Sequence, residues 1–199
     1  VQRFAKEEPT ERRSILRKLH VYLTLAVTAA LVTHGSVELL RWALGAESFH
    51  GYPVAAVLIW GALWVFHWMA ESAEGLPTDE TRTVRRLYLY VTSAYSLTML
   101  AVGLGLAIYL ALREAYEGLF SVPVLLQEEE PLWGDLMKNS LSVALVGAGL
   151  WAWHWLYAAR LDIESALCQF YSYAFVTLGG LITILVETGV IVYEALEWP

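Results

Sequence analysis

The chain alternates long, almost wholly apolar stretches with short polar ones, and the apolar stretches set its architecture. A helix needs about 20 apolar residues to cross the hydrocarbon core of a bilayer. Five segments have that length: Leu19 to Leu40, Pro53 to Ala70, Leu87 to Leu112, Ser140 to Ala159 and Ala166 to Tyr193. None shows the two-residue alternation of a barrel strand, and a helix closes its backbone hydrogen bonds internally. The predicted fold is all-α, an integral membrane bundle of five transmembrane helices.

The polar residues between these segments orient the bundle. The N-terminal arm, the loop carrying Arg82, Arg85 and Arg86, and Arg160 bring ten lysines and arginines to one side, against three on the other: Arg41, Arg113 and Lys138. Basic residues accumulate on the cytoplasmic side, which predicts a cytoplasmic N-terminus and, with five spans, an external C-terminus. Residues 1–18 then form a cytoplasmic basic arm and 19–199 the transmembrane domain, whose first span also serves for insertion.

Two apolar segments share a motif. "LWVFHW" from Leu63 and "LWAWHW" from Leu150 align at a shift of 87 residues, with His67 on His154 and Trp64 on Trp151. The starts of the other spans align too, "RKLHVYL" from Arg17 on "RRLYLYV" from Arg85, and "CQFYSYA" from Cys168 continues the series. The repeating unit is a helical hairpin: a first copy at about 19–72, a second at about 85–160 and a half copy at about 166–197. The second copy has the longer outer loop, from about Arg113 to Asn139, in which "LFSVPVLL" is expected to lie at the membrane surface. An odd number of spans leaves the last hairpin incomplete, so span five needs a partner or further repeats beyond Pro199.

Composition and charge narrow the chemistry. Of 199 residues, 57% are hydrophobic and 17% charged, and the net charge of −7 comes largely from loop acids such as Glu128, Glu129 and Glu130, so nucleic acid is not an expected partner. The single cysteine, Cys168, excludes an internal disulfide and the two-cysteine attachment of c-type haem. There is no glycine-rich phosphate loop, nucleophile elbow or HExxH zinc motif, so an enzyme is the lesser reading.

Ionisable groups within the spans need an account, because a centrally placed charge costs at least ~2.5 kcal/mol there. His67 and His154 lie at equal depth on parallel helices. They suit axial ligation of one haem b iron, or of chlorophyll-type pigments, with Gly61, Gly147 and Gly149 leaving room for the macrocycle. They equally suit packing, as amphipathic rings among tryptophans. His34 and Glu187, at similar depth in the outer half, can pair, either structurally or in an ion path. Glu38 is expected to reach water. His20, Tyr88 and Tyr171, with Tyr22, Tyr90 and Tyr173 two residues on, read as an interfacial aromatic belt. Alanines at 144, 148 and 152, and Ala101 with Gly105, offer close-packing faces.

The motif and the arginine-flanked, tyrosine-bearing helix that precedes its second copy carry a resemblance. Arg85, Arg86, Tyr88 and Tyr90, with Trp64, His67, Trp68, Trp151, His154 and Trp155, resemble a bacterial multi-pass membrane family known as a domain of unknown function, over about Glu11 to Glu197. The resemblance implies repeated hairpins in a bacterial inner membrane and supplies no activity. Three functions remain open. The foremost is a membrane scaffold or accessory subunit working with other membrane subunits or further copies of itself. The second is an electron-transfer protein binding haem or pigment through His67 and His154. The third is a small transporter or channel using His34 and Glu187.

Overall fold

The computed structural model describes residues 15–74, 79–120, 132–159 and 165–196. Among them every regular element is helical, and five helices are long and apolar enough to cross a membrane. They are α1 (Ile15–Ala43), α2 (Gly51–Ser72), α3 (Asp79–Phe120), α4 (Asp135–Trp151, continuing as a π-helix over Ala152–Ala159) and α5 (Ala166–Tyr171, a π-helical Ser172–Leu178, then Gly179–Leu196). Each expected span lies within one of these helices.

Local chemistry explains where the helices stop. The amide of Gly45 donates to the carbonyl of Trp42 (2.9 Å) and that of Ala46 to Arg41 (2.8 Å), a Schellman turn that ends α1. The turn needs a left-handed residue, and Gly45 has φ +79°. Lys138 reaches across from α4 to the Gly45 carbonyl (3.0 Å), placing a cation at the negative end of α1. Ser165 caps α5 by accepting from the Cys168 amide at 3.1 Å. Within the spans, the hydroxyls of Thr28, Thr33, Ser96, Ser140 and Ser142 bond carbonyls one turn back, so none of these five is left unpaired in an apolar setting.

α3 corrects the expected loop. It runs for 42 residues, about 60 Å, roughly twice the hydrocarbon thickness. Arg113 to Leu119 are therefore helical rather than loop, on good helix formers and an Arg113–Glu117 ion pair of 3.6 Å one turn apart. Asp135 to Asn139 already belong to α4. Most of "LFSVPVLL", and Glu128 to Glu130, lie outside the described residues, as do Arg160 and the arm before Ile15.

Two close pairings build the bundle: α1 with α2, and α3 with α4; α1 also packs on α3 and α4. At α3–α4 the backbones nearly touch. A Cβ added to Gly103 would come within 2.6 Å of the Ala144 amide nitrogen, and one at Gly147 within 2.6 Å of that of Leu100. Gly35 similarly faces Ala56 of α2. Such approach is how helices gain contact in lipid, where no hydrophobic effect drives them together. The seam differs from the expected one in α3. Gly103 and Ala107 are buried there, whereas Ala101 is exposed, because Gly103 is the residue that meets Ala144.

α5 packs mainly through its first turns, where Tyr171 and Cys168 join the core, and residues 181–193 are all exposed.

Candidate functional site

All five helices bring polar or aromatic side chains to one end of the bundle, formed by the N-termini of α1, α3 and α5 and the C-termini of α2 and α4. His154 stands at the centre, 0% exposed. Its Nδ1 lies 2.9 Å from the carbonyl of Leu150 and its Nε2 3.0 Å from the hydroxyl of Tyr88. Trp64 Nε1 lies 3.1 Å from the same hydroxyl.

The chemistry of the groups fixes the direction of this chain. An indole N–H only donates and a carbonyl only accepts. The Leu150 carbonyl therefore assigns the proton of a neutral His154 to Nδ1. Nε2 then accepts from Tyr88 O–H, whose oxygen accepts from Trp64. Three helices, α2, α3 and α4, are joined through three side chains with every polar atom of the relay used.

The rings around it pack closely. Trp64 stacks on Trp68 at 5.5 Å, both meet Trp153 edge-on at about 6 Å, and Tyr88 lies 5.5 Å from Tyr22. A second bond of the same kind ties α4 to α5: Trp151 Nε1 donates to the Tyr171 hydroxyl at 3.0 Å. The Tyr171 ring also lies tilted against Trp155, centroids 4.5 Å apart, and Tyr90 bonds Ser165 at 3.2 Å. The tyrosines expected to form an interfacial belt at positions 22, 88, 90 and 171 are thus buried junctions, while Tyr173 and His20 are exposed.

Beside the aromatic group lies an ionic one. Lys18 and Glu71 are buried, at 3% and 7% exposure, and face each other at 3.5 Å. Tyr22 donates to the same Glu71 oxygen at 2.5 Å. Lys18 also reaches Glu74 at 2.9 Å, and Arg17 pairs with Glu74. Two cations and two carboxylates balance, which is what partial burial of charge requires. The sequence reading missed Glu71 and Glu74. The signal was there, since a hairpin returns the end of span two to the start of span one, where Arg17 and Lys18 stand.

The other expected residues are not brought together. His67 is half-buried; its Nδ1 bonds its own helix at Leu63 (2.8 Å) and its ring contact is Phe66. No bond or ring contact joins it to His154 among the described residues. Gly147, expected to leave room for a porphyrin, has the backbone of α3 against it. Axial ligation needs a free imidazole lone pair, and Tyr88 occupies that of His154. These residues do not fit a haem iron held between His67 and His154. Among the described residues, no group of three or more His, Cys, Asp or Glu could hold a metal ion.

His34 and Glu187 are likewise apart. His34 is exposed on α1 beside Tyr52, with ring centroids 6.4 Å apart. Glu187 is exposed on α5, with Oε1 3.7 Å from where a Cβ of Gly105 would stand. Glu38 bonds Arg41 at 3.0 Å near the opposite end of the bundle, and Arg41 also pairs with Glu47.

Comparison with known proteins adds one result. The model of a domain of unknown function, DUF5671, matches residues 86–199, more than half of the chain. The chain belongs to the DUF5671 family. The match begins at Arg86, short of the Glu11 to which the sequence resemblance extends. It takes in Tyr88, Trp151, His154 and Tyr171, while Trp64, His67 and Glu71 precede it. No curated protein and no solved structure matches the chain significantly.

Proposed function

We propose that the protein is an integral membrane scaffold or accessory subunit, a rigid bundle that offers α5 to other membrane chains. One observation carries this reading: beyond its first turns the fifth span is uncovered, with residues 181–193 all exposed, and Glu187 is among them. Lipid alone suits the valines and isoleucines of α5. It does not suit a carboxylate, and ionisable residues in spans nearly always face protein or water.

The rest of the bundle is suited to hold α5 in place rather than to move. Bonds and ion pairs at one end link α1 to α2, α2 to α3, α3 to α4, and α4 to α5. The two Trp-to-Tyr bonds, Trp64 to Tyr88 and Trp151 to Tyr171, support a duplicated hairpin, since each ties the second helix of a unit to the first helix of the next. The excess of Lys and Arg at this end supports a cytoplasmic N-terminus, and the family resemblance supports a bacterial inner membrane.

The test is extraction of native membranes with a mild detergent, followed by native electrophoresis and detection of this chain. It is expected to migrate in an assembly well above one chain plus detergent. Migration as a single chain at all detergent ratios would overturn the reading.

A further inference from the structure

We infer that the first partner of α5 is α1 of a second copy of this chain, joined through His34 of one copy and Glu187 of the other. This rests on the scaffold reading and names the contact that the scaffold makes.

Two ionisable side chains sit exposed on the apolar outside of the bundle, one a base and one an acid. Neither His34 nor Glu187 has a hydrogen-bond or ion-pair partner among the described residues, and α1 and α5 share no extensive packing. Their depths correspond. His34 lies five residues past the middle of Ile15–Ala43, about 7 Å, and Glu187 some seven residues past the middle of Ala166–Tyr193, about 11 Å. Both displacements run toward the end of the bundle opposite the His154 site. The difference is less than one helical turn.

Neither residue escapes easily to water. Cα–Cβ bonds tilt toward the helix N-terminus, so on both helices the side chains lean back toward the membrane centre. The Glu187 carboxylate indeed lies against Gly105 of α3 rather than beyond the end of α5.

A second copy resolves both problems at once. α1 and α5 start at the same end of the bundle. Two copies related by an axis along the membrane normal therefore bring α1 of one beside α5 of the other, parallel and at unchanged depth. Imidazole then meets carboxyl, as an ion pair or as a carboxylic acid donating to the imidazole lone pair. An unrelated partner would have to supply both complementary groups itself, whereas this chain already carries them at matching depth.

The experiment uses the full chain alone, in vesicles of a single zwitterionic lipid. One preparation carries Ala30→Cys and another Thr183→Cys, each one turn before the pairing residue. Native Cys168 is buried, and a chain without added cysteines controls for it. Co-reconstituted and treated with a short bismaleimide, the mixed pair is expected to cross-link well above either preparation alone. Glu187→Gln should weaken self-association about tenfold, the scale of one interhelical hydrogen bond in a bilayer. The exchange His34→Glu with Glu187→His should restore it. All these positions are exposed in the single chain, so folding is not at stake.

Absence of the mixed cross-link, or association unchanged by Glu187→Gln, overturns the inference. A chain that is single in these vesicles yet part of a larger assembly in native membranes overturns this inference alone. A chain that is single in both overturns the scaffold reading as well.

Discussion

The hydroxyl of Tyr88 lies 3.0 Å from Nε2 of His154, 66 residues away, and on its other side accepts from the indole of Trp64 at 3.1 Å. One oxygen atom thus holds together helices from both halves of the chain, with Tyr88 and His154 both buried.

Replacing Tyr88 by Phe keeps the ring and deletes the junction. Trp64 then has a partly buried donor and His154 a buried acceptor with no partner, and a fully buried group of this kind costs about 1–3 kcal/mol. Tyr88→Phe is expected to lower stability by more than Trp64→Phe, which leaves the Tyr88–His154 bond intact. Denaturation by SDS in mixed micelles, followed by circular dichroism, measures the order; the reverse order would show that the relay is not what joins the helices.

The two motif histidines should respond unequally despite similar sequence settings. His154→Leu breaks two bonds at a site with 0% exposure and is expected to cost about 2 kcal/mol or more, whereas His67→Leu removes one local bond at a half-buried site and should stay within about 0.5 kcal/mol. Added haem should give no bis-histidine low-spin spectrum with the unaltered protein. Such a spectrum, lost in both variants, would restore a haem site.

Glycines that look interchangeable in the sequence should separate sharply. Gly147→Ala sets a Cβ 2.6 Å from the Leu100 nitrogen, which is main chain and cannot step aside; overpacking of this kind costs typically 1–3 kcal/mol. Gly149→Ala meets nothing within 4 Å and should be neutral or mildly stabilising through helix propensity. Thermal midpoints of the two purified variants decide the matter.

The ionic group predicts non-additivity. Glu71→Leu leaves Lys18 and Arg17 with one carboxylate between them and Tyr22 without its acceptor. Losing one partner of a buried pair costs about 3–5 kcal/mol, while exchanging both for apolar residues is often close to neutral. The double variant Lys18→Met with Glu71→Leu should therefore be more stable than Glu71→Leu alone. Finding it less stable, with the two effects summing, would mean that the pair is effectively solvated.

How far the sequence carries the fold varies with the range of the interaction. The five spans were legible because a bilayer tests each segment separately: enough apolar length closes its own hydrogen bonds and suits lipid whatever its neighbours do. The extent of α3 beyond Leu112 was not, since Arg113, Glu114 and Glu117 mark the end of an apolar run but not the end of a helix. The candidate site was legible only as residue types. "LWxxHW" occurs twice, yet Trp64 and His154, one from each copy, are the members that meet at Tyr88.

The sequence by itself determined that this is an all-helical chain with five helices able to span a membrane, since that follows from apolar length and intrahelical hydrogen bonding alone. Only the tertiary structure decided that His154 is a sealed junction while His67 is not, that Glu71 and Glu74 are partners of Arg17 and Lys18, and that His34 and Glu187 stand apart on the outer surface. The reason is that a polar group among apolar residues is settled by whichever complementary group another helix brings within about 3 Å, and that depends on how the helices pack rather than on any one of them.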